Sequence, residues 1–471
     1  MRLFLSFFLM CFLAVAPGLS LAAPAEPEID WQKVDAEAIA KLSEYIRVDT
    51  SNPPGNEARA AQWLAGIFKA EGISFETAES APGRGNIVAR LKATVANPEP
   101  GLVLLSHMDV VPVTREYWTV DPFSGEVRNG NIWGRGTADM KGQGIAQLMA
   151  FLLLHRLHVP LRRDVIFLAT ADEESGGDYG AGWVVRNRPG WFAGAGFLVN
   201  EGARSQADKN GQPIFYGIGT VNKTPGWLKL TATGRSGHGS VPIPESAVNK
   251  LIAAVERLRT YQPPLEVTPP IERALASQAP YEPEPWRGRL KNIREFVNQP
   301  DARAELSKRP ALLALLTNTI SITRLEGSNK VNVIPPVATA EIDCRLLPGW
   351  TAERWVAEVR RIVHDDAIKV EVIHNQTTTE SPLGTPLSAT IEKAVKELHA
   401  GAGVALSPST GFNDSHFFRE KGIVSYGFVP FAMPEGYVSG AHGNDEFIPV
   451  RAFSDGVRLE WQLVYDFAKA Q

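Results

Sequence analysis

Residues 102–109 read Leu-Val-Leu-Leu-Ser-His-Met-Asp, an apolar run that ends in an imidazole and a carboxylate. Four consecutive apolar residues predict a strand that is buried on both faces, because a half-exposed strand would alternate apolar and polar residues. Apolar runs of similar length occur at residues 86–91, 165–170 and 197–199, and residues 142–157 have the apolar spacing of a helix. This alternation predicts an α/β fold with a mixed sheet flanked by helices.

The size and charge of the chain narrow the classes of protein to which it could belong. Its 471 residues exceed the roughly 100–200 residues of one ordinary core, so two or more domains are expected. An apolar fraction of 44% excludes a disordered chain. The formal net charge of −4, without a long run of Lys and Arg, argues against nucleic acid or an anionic membrane surface as a partner.

The N-terminus has the pattern of a secretory signal. Arg2 precedes an apolar run at residues 3–16, and small residues follow at 20–23. The run is shorter than the about 20 residues of a membrane span, so residues 1–22 are predicted to be a cleaved signal, with an uncleaved anchor as the alternative. A secreted or periplasmic location follows from this prediction. Removal of the signal leaves Cys344 as the single thiol, expected in a buried strand without a disulfide.

A different module interrupts the first pattern after about residue 220. Strands and helices follow in the order strand-helix-strand-strand-helix-strand, which predicts a ferredoxin-like α+β domain; they are placed at residues 227–233, 246–261, 320–324, 338–345, 351–363 and 368–374. We expect one domain at residues 30–221 and 379–471, and an inserted domain at residues 222–378. The second domain itself carries an insertion at residues 262–318, Pro-rich at first and then helical.

Imidazole and carboxylate side chains stand just beyond the carboxyl ends of the predicted strands, where α/β sheets bind ligands. They are His107, Asp109, Asp139, Glu173, Glu174, Glu201 and His442. Nitrogen and oxygen donors without a thiolate suit Zn²⁺ or a similar cation, and two His with three carboxylates can hold two ions if one carboxylate bridges them. Of the adjacent Glu173 and Glu174, one could bind metal while the other takes a proton. Asp109 could accept the second N–H of the His107 ring.

These motifs together resemble the M20 family of zinc peptidases and aminoacylases, from about residue 35 to the C-terminus. The resemblance implies two Zn²⁺ per subunit, for which Co²⁺ or Mn²⁺ could substitute. It implies these ligands: His107 and Glu201 for one ion, Glu174 and His442 for the other, and Asp139 as the bridge. It also implies that Glu173 is the general base and that the inserted domain is a lid and dimerisation domain.

The inserted domain carries further residues with roles implied by the resemblance. His238, in a Gly-rich motif, would reach the partner subunit's active site and stabilise an oxyanion, so a homodimer is expected. Arg345 would bind a substrate carboxylate, and Asn332 would orient the substrate. Without the family, His238 could equally cap a turn, and Arg345 could pair with Asp343.

A glycine-bearing loop near the C-terminus departs from the family pattern. Gly411 would meet the substrate carboxylate through its backbone N–H, but Phe412-Asn413-Asp414 stands where Gly-Thr-Asp is usual.

The predicted activity is hydrolysis of an amide bond next to a free carboxylate. The main hypothesis is a metallo-carboxypeptidase or dipeptidase acting on short peptides, and the alternative is an aminoacylase acting on N-acyl amino acids. An aminopeptidase of a related two-zinc family would lack the His238 motif. A non-catalytic binding protein of the same fold is disfavoured because every ligand and the base are present.

Overall fold

The computed structural model describes residues 27–434 and 440–470, so the predicted signal at residues 1–22 lies outside the described residues. Its helices are α1 (Trp31–Ile46), α2 (Glu57–Ala70), α3 (Lys141–Arg156), α4 (Ala181–Asn187), α5 (Ala247–Thr260), α6 (Pro269–Gln278), α7 (Trp286–Lys291), α8 (Ile293–Phe296), α9 (Ala302–Ser307), α10 (Pro310–Leu315), α11 (Ala352–Val363), α12 (Pro386–Leu398), α13 (Ser415–Arg419) and α14 (Val450–Ala468). No helix in these ranges combines the length and apolar character that crossing a membrane requires.

The strands form several sheets. They are β1 (Phe75–Glu79), β2 (Gly85–Leu91), β3 (Glu99–His107), β4 (Val127–Arg128), β5 (Asn131–Trp133), β6 (Arg163–Thr170), β7 (Ala195–Asn200), β8 (Ser205–Ala207), β9 (Pro213–Ile218), β10 (Thr224–Thr233), β11 (Gly237–His238), β12 (Thr319–Glu326), β13 (Val333–Ile334), β14 (Val337–Leu346), β15 (Ile368–Asn375), β16 (Gly403–Leu406), β17 (Val424–Gly427), β18 (Ala432–Pro434) and β19 (Phe447–Pro449).

The largest sheet has the strand order β1-β2-β6-β3-β7-β17. Strands β6, β3, β7 and β17 are parallel, whereas β1 and β2 form an antiparallel edge, so the predicted mixed sheet is confirmed. Side chains of β3 alternate between two cores: Leu102 and Leu104 pack on the face of α3 and α14, and Val103 and Leu105 on the face of α4. Burial on both faces explains the unbroken apolar run. The parallel strands β3, β6 and β7 end at one edge, where the polar segments begin.

A four-stranded antiparallel sheet, ordered β12-β14-β10-β15, carries α5 and α11 and has its own core. We call these elements, together with the short strands β11 and β13, the small domain; the large domain comprises β1–β9, β16–β19, α1–α4 and α12–α14. The chain order β10-α5-β12-β14-α11-β15 matches the predicted ferredoxin-like succession, and Cys344 is buried in β14 as expected. The domain boundaries at residues 222 and 378 stay predictions.

Helices α6 to α10 form the predicted helical insertion and have a separate core. The insertion contacts the large domain, since Gln278 Nε2 donates to Leu406 O at 2.6 Å. It also binds the segment that leads into β10: Lys223 Nζ donates to the carbonyls of Ala314 and Thr317 at 2.8 and 2.7 Å. The insertion therefore bridges the large domain and the start of the small domain.

Glu460 predicts a measurable pH dependence of stability. It lies on α14, is 0% exposed, and neither carboxylate oxygen has a hydrogen-bond partner among the described residues. Burial raises the pKa of Glu460 from 4.5 to about 8. The folded state therefore binds a proton that the unfolded state releases between these values, so the free energy of unfolding falls as the pH rises from about 4.5 to about 8.

Glu460→Gln should remove this fall, and relative to the wild type it should gain on the order of 3 kcal/mol between pH 5 and pH 8. Urea unfolding at both pH values measures the change. Glu392→Gln, at an exposed position on the neighbouring helix α12, is the control and should keep the wild-type dependence. An unchanged dependence in Glu460→Gln would refute the assignment.

Candidate active site

Three predicted ligands meet at the carboxyl edge of the large sheet. His107 ends β3 and is buried, and its Nε2 lies 3.2 Å from Asp139 Oδ1 and 3.8 Å from Glu201 Oε1. Asp139 immediately precedes the turn into α3, and Glu201 directly follows β7. Strand ends thus place two of the three side chains, and the loop before α3 places the third.

His442 approaches the same cluster from the loop before β19. Its Nε2 lies 3.2 Å from Asp139 Oδ2 and 3.0 Å from Glu174 Oε2. Asp139 therefore presents one oxygen to His107 and the other to His442, which is the arrangement that a bridging carboxylate requires. The structure brings all five predicted ligands together.

The donor set fits bound cations. Ligand atoms of His107, Asp139 and Glu174 lie within 4.8 Å of one another, as do those of His107, Glu173 and Glu201. Burial, reinforced by the Asp139 carboxylate, raises the pKa of Glu201 well above its usual value. Glu174 Oε1 is buried without a hydrogen-bond partner among the described residues. Carboxylates this close together repel one another when ionised, and a nearby positive charge stabilises them. Zn²⁺ or a related cation would supply that charge.

Glu173, which precedes Glu174 in the sequence, also lies close enough to His107 and Glu201 to share a metal ion with them. It is buried, and burial together with the Glu201 carboxylate raises the pKa of Glu173 well above its usual value. A carboxyl group of raised pKa at the edge of the cluster is suited to accept and return a proton. Geometry alone allows Glu173 to be a base or a ligand, so variants must separate the two roles.

Asp109 contacts both the turn that carries Glu173 and the imidazole of His107. Its Oδ1 and Oδ2 accept the backbone N–H groups of Glu173 and Glu174, both at 3.1 Å. His107 Nδ1 lies 3.0 Å from the Asp109 backbone oxygen and 3.5 Å from its Oδ1. The imidazole is therefore closer to the main chain of Asp109 than to its carboxylate, which differs from the predicted contact.

A buried network behind Asp109 escaped the sequence analysis. Asn52 Nδ2 donates to Asp109 Oδ2 at 2.8 Å, and Arg84 pairs with Asp172 and, at 3.1 Å, with Glu57. Asp172 precedes the base and has a left-handed φ of 69°. No local pattern marks Asn52 as a partner of Asp109, because the two residues stand 57 positions apart in the sequence.

Glu446 is the second group that the sequence analysis missed. Its carboxylate accepts the backbone N–H groups of Gly136, Ala138 and Asp139 at 3.0, 2.8 and 3.1 Å. Arg135 donates to Glu446 at 2.7 Å and to the carbonyl of Gly443 at 2.5 Å. This buried pair joins the loop of the bridging Asp139 to the loop of His442. Glu446 stands only four residues after His442, a signal that was available.

The residues of the inserted domain that have predicted roles are paired with neighbours of their own rather than with the predicted ligands. His238 is exposed on β11, its Nδ1 contacts Ser240 Oγ at 2.8 Å, and the Asn332 carbonyl accepts the N–H of Gly239. In the described part of the chain, neither His238 nor Asn332 has a hydrogen bond or ion pair with the predicted ligands. Arg345 pairs with Asp343, the alternative left open by the sequence.

Gly411 belongs to a loop that reaches the cluster. Its N–H donates to Ser409 Oγ at 3.0 Å, and Asn413 Nδ2 in the same loop donates to the Glu201 carbonyl at 2.9 Å. The departure from the family pattern therefore places an asparagine against the main chain of a predicted ligand.

Both the sequence and the fold of the chain are similar to those of known proteins. The sequence profile of peptidase family M20/M25/M40 matches residues 103–466. The N-fatty-acyl-amino acid synthase/hydrolase PM20D1 of Homo sapiens is 31% identical over 387 residues, which are 79% of this chain and 75% of that protein. Aminoacylase-1 of Sus scrofa is 26% identical over 436 residues, 91% of this chain and 94% of its own. The crystal structure of human carnosine dipeptidase 1 superposes with a TM-score of 0.71 at 17% identity, covering 94% of this chain and 99% of that one, and shares the fold.

Proposed function

Because the chain belongs to peptidase family M20/M25/M40, we propose that it is a two-metal hydrolase that cleaves an amide bond next to a free carboxylate. One observation carries the proposal: Asp139 lies between His107 and His442 with one oxygen toward each, and the buried Glu173 stands beside them. His107 and Glu201 would hold one Zn²⁺, and Glu174 and His442 the other. Co²⁺ or Mn²⁺ could take the same donors.

The chain's own residues supply the proton transfers. When bound, the cations polarise the scissile carbonyl and lower the pKa of the attacking water. Glu173 accepts a proton from that water while the oxygen of the water bonds to the carbonyl carbon. Glu173 then delivers the proton to the leaving nitrogen as the C–N bond breaks, so acid and amine products leave with protons balanced. Asp109 keeps the base in place through the backbone of the turn.

Two substrate classes satisfy this chemistry. Short peptides would make the protein a carboxypeptidase or dipeptidase, in line with the structural likeness to a dipeptidase. N-acyl amino acids would make it an aminoacylase, which the names of the sequence relatives favour. In both classes the leaving half is an amino acid or peptide with a free carboxylate.

A substrate panel on purified, zinc-loaded protein tests the proposal. Dipeptides, N-acyl amino acids and the C-terminal amide of each should be compared, with chelator-treated protein as the control. We expect turnover of at least one carboxylate-bearing class, weak turnover of the amides, and none after chelation. Failure to hydrolyse every carboxylate-bearing compound would contradict the proposed function.

We also propose a homodimer in which His238 acts on the partner's site. His238 has no contact with the predicted ligands of its own chain in the described ranges, and exposed apolar side chains lie near it on the small domain. They include Ile252, Leu325 and Val331, exposed at 60%, 62% and 104%, around a groove of about 960 Å³. Exposed apolar side chains gathered around one groove are typical of protein interfaces.

Mixing two inactive variants should restore activity. A His238→Ala chain keeps Glu173, and a Glu173→Gln chain keeps His238, so each heterodimer contains one intact site. After subunit exchange, random pairing should yield about a quarter of the wild-type sites. Sedimentation should be used to verify that both variants are dimers. Dimers that exchange subunits without regaining activity, or an active wild-type monomer, would disprove action across subunits.

Export remains a proposal that rests on the N-terminal pattern at residues 1–22. Mass spectrometry of the N-terminus from fractionated cells tests it. We expect a chain that begins at Ala23 and is found outside the cytoplasmic membrane. A full-length cytoplasmic chain would contradict the proposal.

A further inference from the structure

The Arg345 guanidinium is held by an acid on its own strand. Arg345 and Asp343 stand two residues apart on β14 and point to the same face. Arg345 Nε donates to Asp343 Oδ1 at 2.6 Å, and Nη2 donates to Oδ2 at 2.9 Å. This bidentate contact occupies one edge of the guanidinium. Within residues 27–434 and 440–470, the opposite edge, which carries Nη1, has no hydrogen-bond partner.

Two aromatic rings confine the same guanidinium. Its Cζ lies 5.6 Å from the ring centre of Trp227 and 5.1 Å from that of Phe412. The rings are 6.1 Å apart at an interplanar angle of 71°, so they form a corner. Trp227 belongs to β10 of the small domain, and Phe412 to the loop after β16 of the large domain. Cation–π contact on two sides restricts the rotation of a long side chain.

The corner formed by the two rings is connected to the predicted metal site through Asn413 and His374. Phe412 precedes Asn413, which donates to the Glu201 carbonyl at 2.9 Å. His374 lies 5.1 Å from the Trp227 ring, and a Cβ on Gly176 would come within 2.9 Å of His374 Cε1. Gly176 is two residues beyond Glu174, so His374 lies between the corner and the loop of Glu174, and Asn413 joins the corner to the main chain of Glu201.

We propose that Asp343, Trp227 and Phe412 are positioning residues that hold Arg345 with its Nη1 edge free for the carboxylate of the substrate. The inference rests on the proposed function, in which the substrate has a free carboxylate, and on the carboxylate-binding role that the family resemblance implies for Arg345. A guanidinium offers two bidentate edges, and Asp343 uses only one of them. Because the side chain is already ordered, it loses less conformational entropy when a carboxylate binds. Phe412, the departure from the family pattern, acquires a role as one wall of the corner.

Binding measured without turnover tests the inference. Calorimetry on zinc-loaded Glu173→Gln protein gives the Kd of an N-acetyl amino acid and of its C-terminal amide. Adding Asp343→Asn should raise the Kd of the carboxylate roughly tenfold, the effect of releasing one ordered side chain, and leave that of the amide unchanged. Phe412→Leu should likewise raise the Kd of the carboxylate and leave that of the amide unchanged, because Phe412 also holds Arg345. Glu326→Gln is the matched control, because Glu326 pairs with Arg324 two residues away on β12, and should change neither.

The outcomes separate the inference from the function on which it rests. An unchanged or lowered Kd for the carboxylate in Asp343→Asn would overturn the positioning role, a lowered value meaning that Asp343 competes with the substrate. A tenfold increase for both ligands would also overturn it, since the effect would not depend on the carboxylate. If the parent protein does not bind the carboxylate ligand, the inference fails whatever the substrate panel shows. If the ligand binds as expected and no compound is hydrolysed, only the proposed function fails.

Discussion

Replacing Glu173 by glutamine is expected to lower kcat by about 10²–10⁴-fold, the range that a positioned general base contributes. The amide keeps the shape and burial of the side chain but cannot accept the proton of the attacking water. The backbone N–H of residue 173 still donates to Asp109, so the turn should keep its conformation. Initial rates on the best substrate of the panel, with zinc content measured on the same samples, provide the comparison.

Glu174→Gln is the matched control variant, because it removes a predicted metal ligand next to the predicted base Glu173. Glu174 lies 3.0 Å from His442, whereas the buried Glu173 falls in the other group of donor atoms with His107 and Glu201. We expect Glu173→Gln to retain two zinc ions per chain and Glu174→Gln to lose one. If Glu173→Gln loses zinc while the remaining holoprotein keeps its rate, Glu173 is a ligand and the assignment of the base is wrong.

Local patterns were sufficient to predict the core of the fold. The apolar runs of β3 and β6 identify strands buried on both faces, and the spacing in α3 identifies a helix. The sheet ordered β16-β9-β8-β18 was not predicted, although all of its strands lie in the described ranges. Its strands are short and half-buried, and two of them come from a segment about 200 residues further along the chain. Pairing over such a distance depends on tertiary packing, which periodicity does not reveal.

The metal ligands could be predicted from local sequence patterns. The buried residues that support them, such as Arg84, could not. The predicted ligands follow strand ends or open a helix, so fold topology alone brings Asp139 and Glu201 to His107. Arg84 stands 88 residues from its partner Asp172 and belongs to no motif. An isolated arginine in a loop has the sequence signature of a surface residue. Only the structure shows that the guanidinium is buried.

Removal of the Arg84 charge is the second large effect that we expect. Arg84 is 6% exposed and pairs with two buried carboxylates, those of Glu57 and Asp172. Its Nη1 also donates to Asn52 Oδ1 at 3.1 Å, and the Tyr179 ring lies 5.5 Å from its Cζ. Arg84→Met fills a similar volume but leaves both acids buried without a counter-charge. Breaking a buried pair in this way costs about 3–5 kcal/mol.

Urea unfolding of Arg84→Met against the wild type measures this loss. Arg115→Met is the control, since Arg115 and its partner Asp121 are more than half exposed and their pair should contribute at most about 1 kcal/mol. Glu57→Gln in the Arg84→Met background removes one of the stranded charges and should recover part of the stability, because a neutral amide is easier to bury than a carboxylate. Equal losses in Arg84→Met and Arg115→Met would mean that the network behind the base contributes no more than a surface ion pair. A large loss in Arg84→Met with partial recovery in the double variant would establish that Arg84 compensates the buried charges of Glu57 and Asp172.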